Sequence, residues 1–488
     1  MVEDVCARLA AGGVIPLHDD RCFDSDPEVR RIARSLYAGT RELPIVSPHG
    51  HVEARLLAEN APFPEPTSLI VTPDHYVLRM LYARGIPLEQ LGVARSDDAA
   101  PPALSVDPRS AWKLFASSYH VFRGTPTGIW LDHQLHELFG IRQPLSAETA
   151  MHAYDAILER LASPEFRPRA LFERFRIEVL ATTDAATDSL EYHDAIRRSG
   201  WTGWRGGRVI PTFRPDALFR IAAPEWRGHL GALASVHGAP IQSSSALVRA
   251  LEQRREVFRR AGATSTDHAV VEPYTERLHE DQAEALFARA LAGQATAADQ
   301  RRYEAHLLME MARLSAADGL VMQLHAGAFR DHNEPLRQRF GADRGGDIPV
   351  TTEFTRNLRP LLNAYGNDPS FRIIIYTLDE STYSRELAPL AGHYPAVRLG
   401  APWWFHDSLE GMHRYRERTT ESAGLDRTAG FVDDTRAFCS IPARHDLARR
   451  VDANWLARLV ARHVISGTDA AQMARATAYE LPKESYRL

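Results

Sequence analysis

Leu43-Pro44-Ile45-Val46-Ser47-Pro48-His49-Gly50-His51 is a short apolar, β-branched run that ends in ionisable side chains. Seven more such runs follow, at residues 177–184, 208–214, 268–272, 320–325, 371–379, 397–405 and 430–436, and most also end in a polar or ionisable residue. Between most of them lie amphipathic stretches with apolar residues three and four apart, such as residues 354–365 and 299–317. Eight strands alternating with helices predict an α/β protein with a parallel sheet covered on both faces. The most economical form is a closed (β/α)8 barrel of the TIM type. A doubly wound open sheet is the alternative. It is disfavoured because no Gly-rich dinucleotide loop follows the first strand.

The spacing of the runs is uneven. About 125 residues separate the first two, far more than a crossover helix needs. Helical patterns around residues 76–84, 111–122 and 147–161 fill that interval. Residues 78–170 are therefore expected to form a helical insertion on the first barrel loop, within one catalytic domain spanning 1–488. A second helix-rich excursion covers 273–317. The Pro-rich stretches at 61–66 and 99–102 read as loop punctuation.

Composition excludes several classes. The chain has 488 residues, with 58 basic and 63 acidic side chains and a net charge of −5, so neither nucleic acid nor an anionic membrane is an expected partner. Apolar residues at 44% and charged ones at 25% fit a globular protein, and no apolar run is long enough to span a bilayer. The acidic start, Met1-Val2-Glu3-Asp4, lacks the layout of a signal peptide. Cys6, Cys22 and Cys439 are too scattered for a disulfide framework, and a cytoplasmic location is expected. Only Lys113 and Lys483 are lysines, which leaves little room for Schiff-base chemistry or a lysine-bridged metal pair.

The ends of the runs carry the candidate chemistry. His49 and His51, two apart on a strand, face one side and can share a metal. Chance alone yields about 0.9 such pairs among this many histidines, so it is their position at a strand's C-terminal end that gives them weight. His325 on the fifth run and Asp433 or Asp434 on the eighth could complete a His/His/Asp site. Only one of the two aspartates can face the mouth, because neighbours on a strand point opposite ways. Arg214, between Phe213 and Pro215, suits a carboxylate clamp. Trp403 and Trp404 are assigned to packing by default. His133 and His136, the GWTGWRGG segment at 200–207 and Ser243–Ser245 are read as structural.

Read together, the segments PHGHVEARLLAEN, DHYVLRMLYARGI, VLATTDAATDSLEYH, VIPTFRPD, STDHAVVE, QLHAGAFRDHN, IYTLDE, LGAPWWFHDSLEGM and GFVDDTRAFCSIPARHD resemble the uronate isomerase (glucuronate isomerase) family, a divergent branch of the amidohydrolase superfamily. The likeness runs in order from residue 43 to about 450. It implies aldose–ketose isomerisation, D-glucuronate to D-fructuronate and D-galacturonate to D-tagaturonate, by C2–C1 proton transfer through a cis-enediol. By motif, His49, His51 and Asp434 would surround a divalent metal, zinc first, whose need for activity the resemblance leaves open. Asp434, Tyr76 and His49 would carry catalysis, and Arg214, Arg436 and His325 would bind the sugar acid. Asp379 and His406 stand where a typical member has Asn, which bears on substrate preference. The competing readings are a mononuclear metal-dependent hydrolase and a sugar-acid binding protein on a decayed barrel; Tyr76 and the arginine pair favour the isomerase. Association into a homo-oligomer is left open.

Overall fold

Strands β1 (Ile45–Ser47), β2 (Ile177–Ala181), β3 (Asp184–Ala185), β4 (Arg208–Ile210), β5 (Phe213–Arg214), β6 (Ser265–Val270), β7 (Val321–Ala326), β8 (Ala328–Phe329), β9 (Ile348–Pro349), β10 (Ile373–Thr377) and β11 (Val397–Leu399) form the sheet framework. The computed structural model describes residues 17–96 and 106–488; the first four residues, Cys6 and the 99–102 segment lie outside them. A three-stranded sheet runs β1-β2-β4 and a six-stranded one runs β11-β10-β7-β6-β5-β3, parallel throughout. The two sheets share chain segments. β2 continues into β3 and β4 into β5, and the Thr182 amide donates to Ile210 and the Asp184 amide to Thr212 across the join. Pro211, which has no N–H to give, sits at that break. The expected parallel α/β class holds.

Two expected strands are corrected. The fourth begins at Ser265 rather than His268, so Asp267 lies inside it. Residues 430–436 form no strand. Gly430 and Asp434 take positive φ values of 76° and 41°, which break an extended ladder. Just before that segment Thr428 meets β11 through a bridge to Leu399, and within it Thr435 accepts from the His51 amide at 3.0 Å.

Among the described residues the chain between β1 and β2 is mostly helical, from Ala54–Glu59 to Pro168–Arg174. Several of these helices open with Pro in the first turn and a side-chain cap, as Pro108–Ser117 does on Asp107 and Pro126–His133 on Thr125. Their inner faces bury Leu57, Leu81, Trp112, Phe115 and Ile157 in one cluster with Ile45 and Ile177 of the strands. This layer is thereby fixed to the sheet, and it carries Tyr76 on helix His75–Ala83 to the strand ends. On the other side, the long helix Ala297–Asp318 buries Leu307, Leu308, Met311 and Leu314 in one cluster with Met322 and Leu324 of β7, a strand buried along its whole length. Among the described residues no helix is long and apolar enough to cross a membrane.

Candidate active site

His49 and His51 follow β1 with ring centroids 5.3 Å apart. Asp434 Oδ1 lies 3.4 Å from His49 Nε2 and 3.1 Å from His51 Nε2. Its left-handed backbone, costly for a residue with a side chain, swings the carboxylate inward. Asp433 points the other way and accepts a hydrogen bond from His445 Nε2 at 3.1 Å. Only Asp434 of the pair lines the cavity.

His325, at the end of β7, is stacked between His49, at 4.7 Å, and Tyr376, at 4.1 Å. Its Nδ1–H donates to Asp267 Oδ1 at 2.7 Å. This bond fixes the tautomer and leaves Nε2 buried without a hydrogen-bond partner. Burial pushes the His325 pKa down against the pull of Asp267, so the ring is neutral and its lone pair free. Donor atoms of His49, His325 and Asp434 lie within 4.8 Å of one another, and two imidazoles with one carboxylate can hold a metal ion. His325 thus stands among the donors, and His51 lies beside Asp434 on the cavity wall. Burial disfavours the Asp434 carboxylate, but His49 and His51 outweigh it and hold its pKa well below the usual range.

A cavity of about 220 Å³ opens against this group. Arg214 reaches it from the end of β5, its Nε donating to Asp216 at 2.8 Å and its Nη1 lying 3.5 Å from Asp267. Arg436 pairs with Asp343 at 2.9 Å. Partial desolvation opposes its charge, yet Arg436 holds the Asp343 carboxyl down to about 2. Arg330 donates to Asp347 at 2.6 Å and lies over the Trp403 ring. Tyr76 packs on His75 at 4.8 Å, edge-on to Trp130 and Trp404, with the buried Arg444 guanidinium 4.8 Å from its ring. Burial raises its phenol well above the ordinary range despite Arg444, so Tyr76 is protonated at neutral pH.

The predicted residues His49, His51, Tyr76, Arg214, His325, Asp434 and Arg436 therefore converge. Trp403 and Trp404 are buried in a core cluster, as assigned, and both also wall the cavity. Asp379 and His406 do not reach it; Asp379 accepts from the Thr352 amide and His406 Nε2 donates to the Leu378 carbonyl. His133 lies among Arg21 and Asp446, a structural setting. Sequence reasoning missed Asp267, Arg330, Asp343, His75 and Arg444. The displaced start of β6 hid Asp267. Arg330 follows His325 by five residues in QLHAGAFR, and that proximity was the available signal.

A family model described as glucuronate isomerase matches residues 28–486. The chain belongs to the glucuronate isomerase family. It is 52% identical to a uronate isomerase of Rhizorhabdus wittichii over 475 residues, 97% of this chain and 98% of that one. Against a uronate isomerase of Nostoc punctiforme the figures are 51% over 473 residues, 97% and 98%. The crystal structure of glucuronate isomerase from Caulobacter crescentus superposes with a TM-score of 0.94 at 48% identity, covering 97% of each chain. As a member of the glucuronate isomerase family, the chain is an isomerase.

Proposed function

We propose that the cavity binds an open-chain hexuronate and interconverts D-glucuronate with D-fructuronate, and D-galacturonate with D-tagaturonate. The observation that carries this reading is the placement of an ionised Asp434 and a protonated Tyr76 in one cavity with Arg214 and Arg436. Aldose–ketose isomerisation needs a base at carbon, an acid at oxygen and a grip on the carboxylate. In the forward direction the C2 proton leaves to a base and the C1 oxygen gains a proton, giving the cis-enediol. The C2 hydroxyl then loses its proton as C1 gains one. Asp434 is suited to accept a proton and Tyr76 to give one, while His49 orients Asp434. Arg214 and Arg436 keep N–H groups for the substrate's carboxylate and oxygens, and His325 backs the reacting end.

A divalent ion, zinc by our choice, would be held by His49, His51 and Asp434, with His325 completing the donor set. It would supply Lewis-acid polarisation of a substrate oxygen. We further propose that the parallel strands and residues 430–436 close into a (β/α)8 barrel forming one catalytic domain over residues 1–488. Residues 78–170 would be its helical insertion. The pairing order and the His51–Thr435 bond support closure. A cytoplasmic setting accords with Cys22 and Cys439 both being free thiols.

The test is a proton NMR time course with D-glucuronate, then D-galacturonate, in D₂O. Ketose carrying deuterium at the exchanging carbon is the expected result. Absence of turnover of both acids, with metal supplied, would refute the reading in favour of hydrolysis.

A further inference from the structure

We propose that Arg444 is a positioning residue for the proton that Tyr76 gives up: its buried guanidinium, fixed against the Tyr76 ring, stabilises the phenolate left behind. This role rests on the isomerase reading above, in which Tyr76 is the acid. Arg444 closes the first turn of helix Ile441–Ala461, a turn that carries no acidic residue. The dipole at a helix N-terminus disfavours a cation there, so the local chain gives this charge no support. Its support is tertiary.

Arg444 is 1% exposed. Its Nε donates to Ser440 Oγ at 3.2 Å, and its Nη1 donates to Asp407 Oδ2 at 2.8 Å and to the Asp433 carbonyl at 3.2 Å. The Cζ atom lies 3.7 Å from the centroid of the Trp130 ring and 4.8 Å from that of Tyr76. Held by these bonds and rings, the planar fork has little freedom to turn. Among the described residues Nη2 is buried with no hydrogen-bond partner. Tyr76 lines the cavity, and Arg444 stands behind it.

A buried ion pair contributes little net stability, because desolvation offsets the attraction. What the charge does is act on the phenol. Burial raises the pKa of Tyr76, and Arg444 is the largest influence the other way, while Asp407 and Asp434 add to the rise. Burial likewise disfavours the charge of Arg444, and Tyr76 is the largest influence in its favour. When Tyr76 protonates the C1 oxygen, its O–H bond breaks and the electron pair stays on the phenolate oxygen. Tyr76 regains a proton when the C2 hydroxyl releases its own. Away from water that transient anion is costly unless a cation is already fixed beside it.

The experiment is a double-variant cycle on purified protein with D-glucuronate: wild type, Tyr76→Phe, Arg444→Met and the two changes combined. Arg444→Met should lower kcat about 30-fold with KM within about threefold of wild type, the signature of support given only during reaction. In the Tyr76→Phe background, where no phenolate forms, the same change should cost less than about threefold. Arg444→Lys should recover part of kcat, because it restores the charge without the fork. Should the methionine variant fail to fold, Arg444→Lys in the two backgrounds makes the same comparison. Equal losses in both backgrounds, a rise in KM at constant kcat, or a lysine variant no better than a folded methionine one would overturn the role of Arg444. Wild-type protein that turns over no uronate would overturn the isomerase reading itself. Wild-type turnover with an additive cycle overturns only the role of Arg444.

Discussion

The two sides of the active site are built on different principles. On one, His49 and His325 are 1% and 4% exposed, and each is held by a carboxylate or a stacked ring. On the other, the Arg214 and Arg436 side chains keep 26% and 32% of their surface open, each tied to acids behind it. A guanidinium has five N–H donors, so one or two ion pairs orient it and still leave donors for a ligand. The histidine wall fixes reactive groups in position. The arginine wall stays open to an anion. Changes to the first should appear in kcat and changes to the second in KM.

The strongest test of that division is Asp434→Asn. It keeps the volume but removes the charge that His49 and His51 hold in place, and kcat should fall about 10³-fold with KM little moved. A loss confined to KM would erase the distinction between the walls. Tyr76→Phe should come next, with kcat down about 10²-fold, since the phenol is the protonated group facing Asp434's side of the cavity. Steady-state ketose formation measures both. Arg436→Met belongs to the other wall, and its KM should rise about tenfold or more while kcat holds. If kcat collapsed instead, the salt bridge to Asp343 would be positioning the reaction rather than binding the acid.

The histidine wall was largely legible in the sequence, and the arginine wall only in part. His49, His51 and His325 sit at or just past strand ends, where alternation decides which side chain faces the mouth, whereas Asp434 sits on a segment that forms no strand. The rule allowed only one of Asp433 and Asp434 to face the mouth, the family resemblance picked Asp434, and Asp433 turns back to His445. Arg214 was readable because a proline stiffens its turn. Arg330 and Asp343 come from the loop after β7, where no periodicity constrains direction, and their pairing with Asp347 and Arg436 is a purely tertiary fact. Arg444 lies inside helix Ile441–Ala461, and only the fold brings it beneath Tyr76. Asp267 was missed for a different reason. Apolar patterning began the fourth strand at His268, and the polar Ser265-Thr266-Asp267 that precedes it is buried through its own hydrogen bonds, such as Thr266 Oγ1 with His268 Nε2 at 3.0 Å.

That strand supplies the smallest test, on adjacent residues facing opposite ways. Asp267 turns to His325 and Arg214; burial opposes its charge, but those two groups hold its pKa well below the usual range. His268 turns into the core against Phe219, and burial pushes its pKa from 6.5 down to about 3, with Asp267 only partly opposing. The unfolded chain therefore takes up a proton first. The stability from neutral His268 is complete above about pH 6.5 and is lost progressively as the pH falls toward 3. Between pH 6.5 and 4.5 this amounts to about 2 kcal/mol. His268→Gln removes the titrating ring, so its urea midpoint should fall less steeply than wild type across that interval, even if it starts lower for want of packing. Parallel slopes would mean that His268 is protonated inside the core without penalty, and the contrast between the two faces of β6 would then have no electrostatic basis.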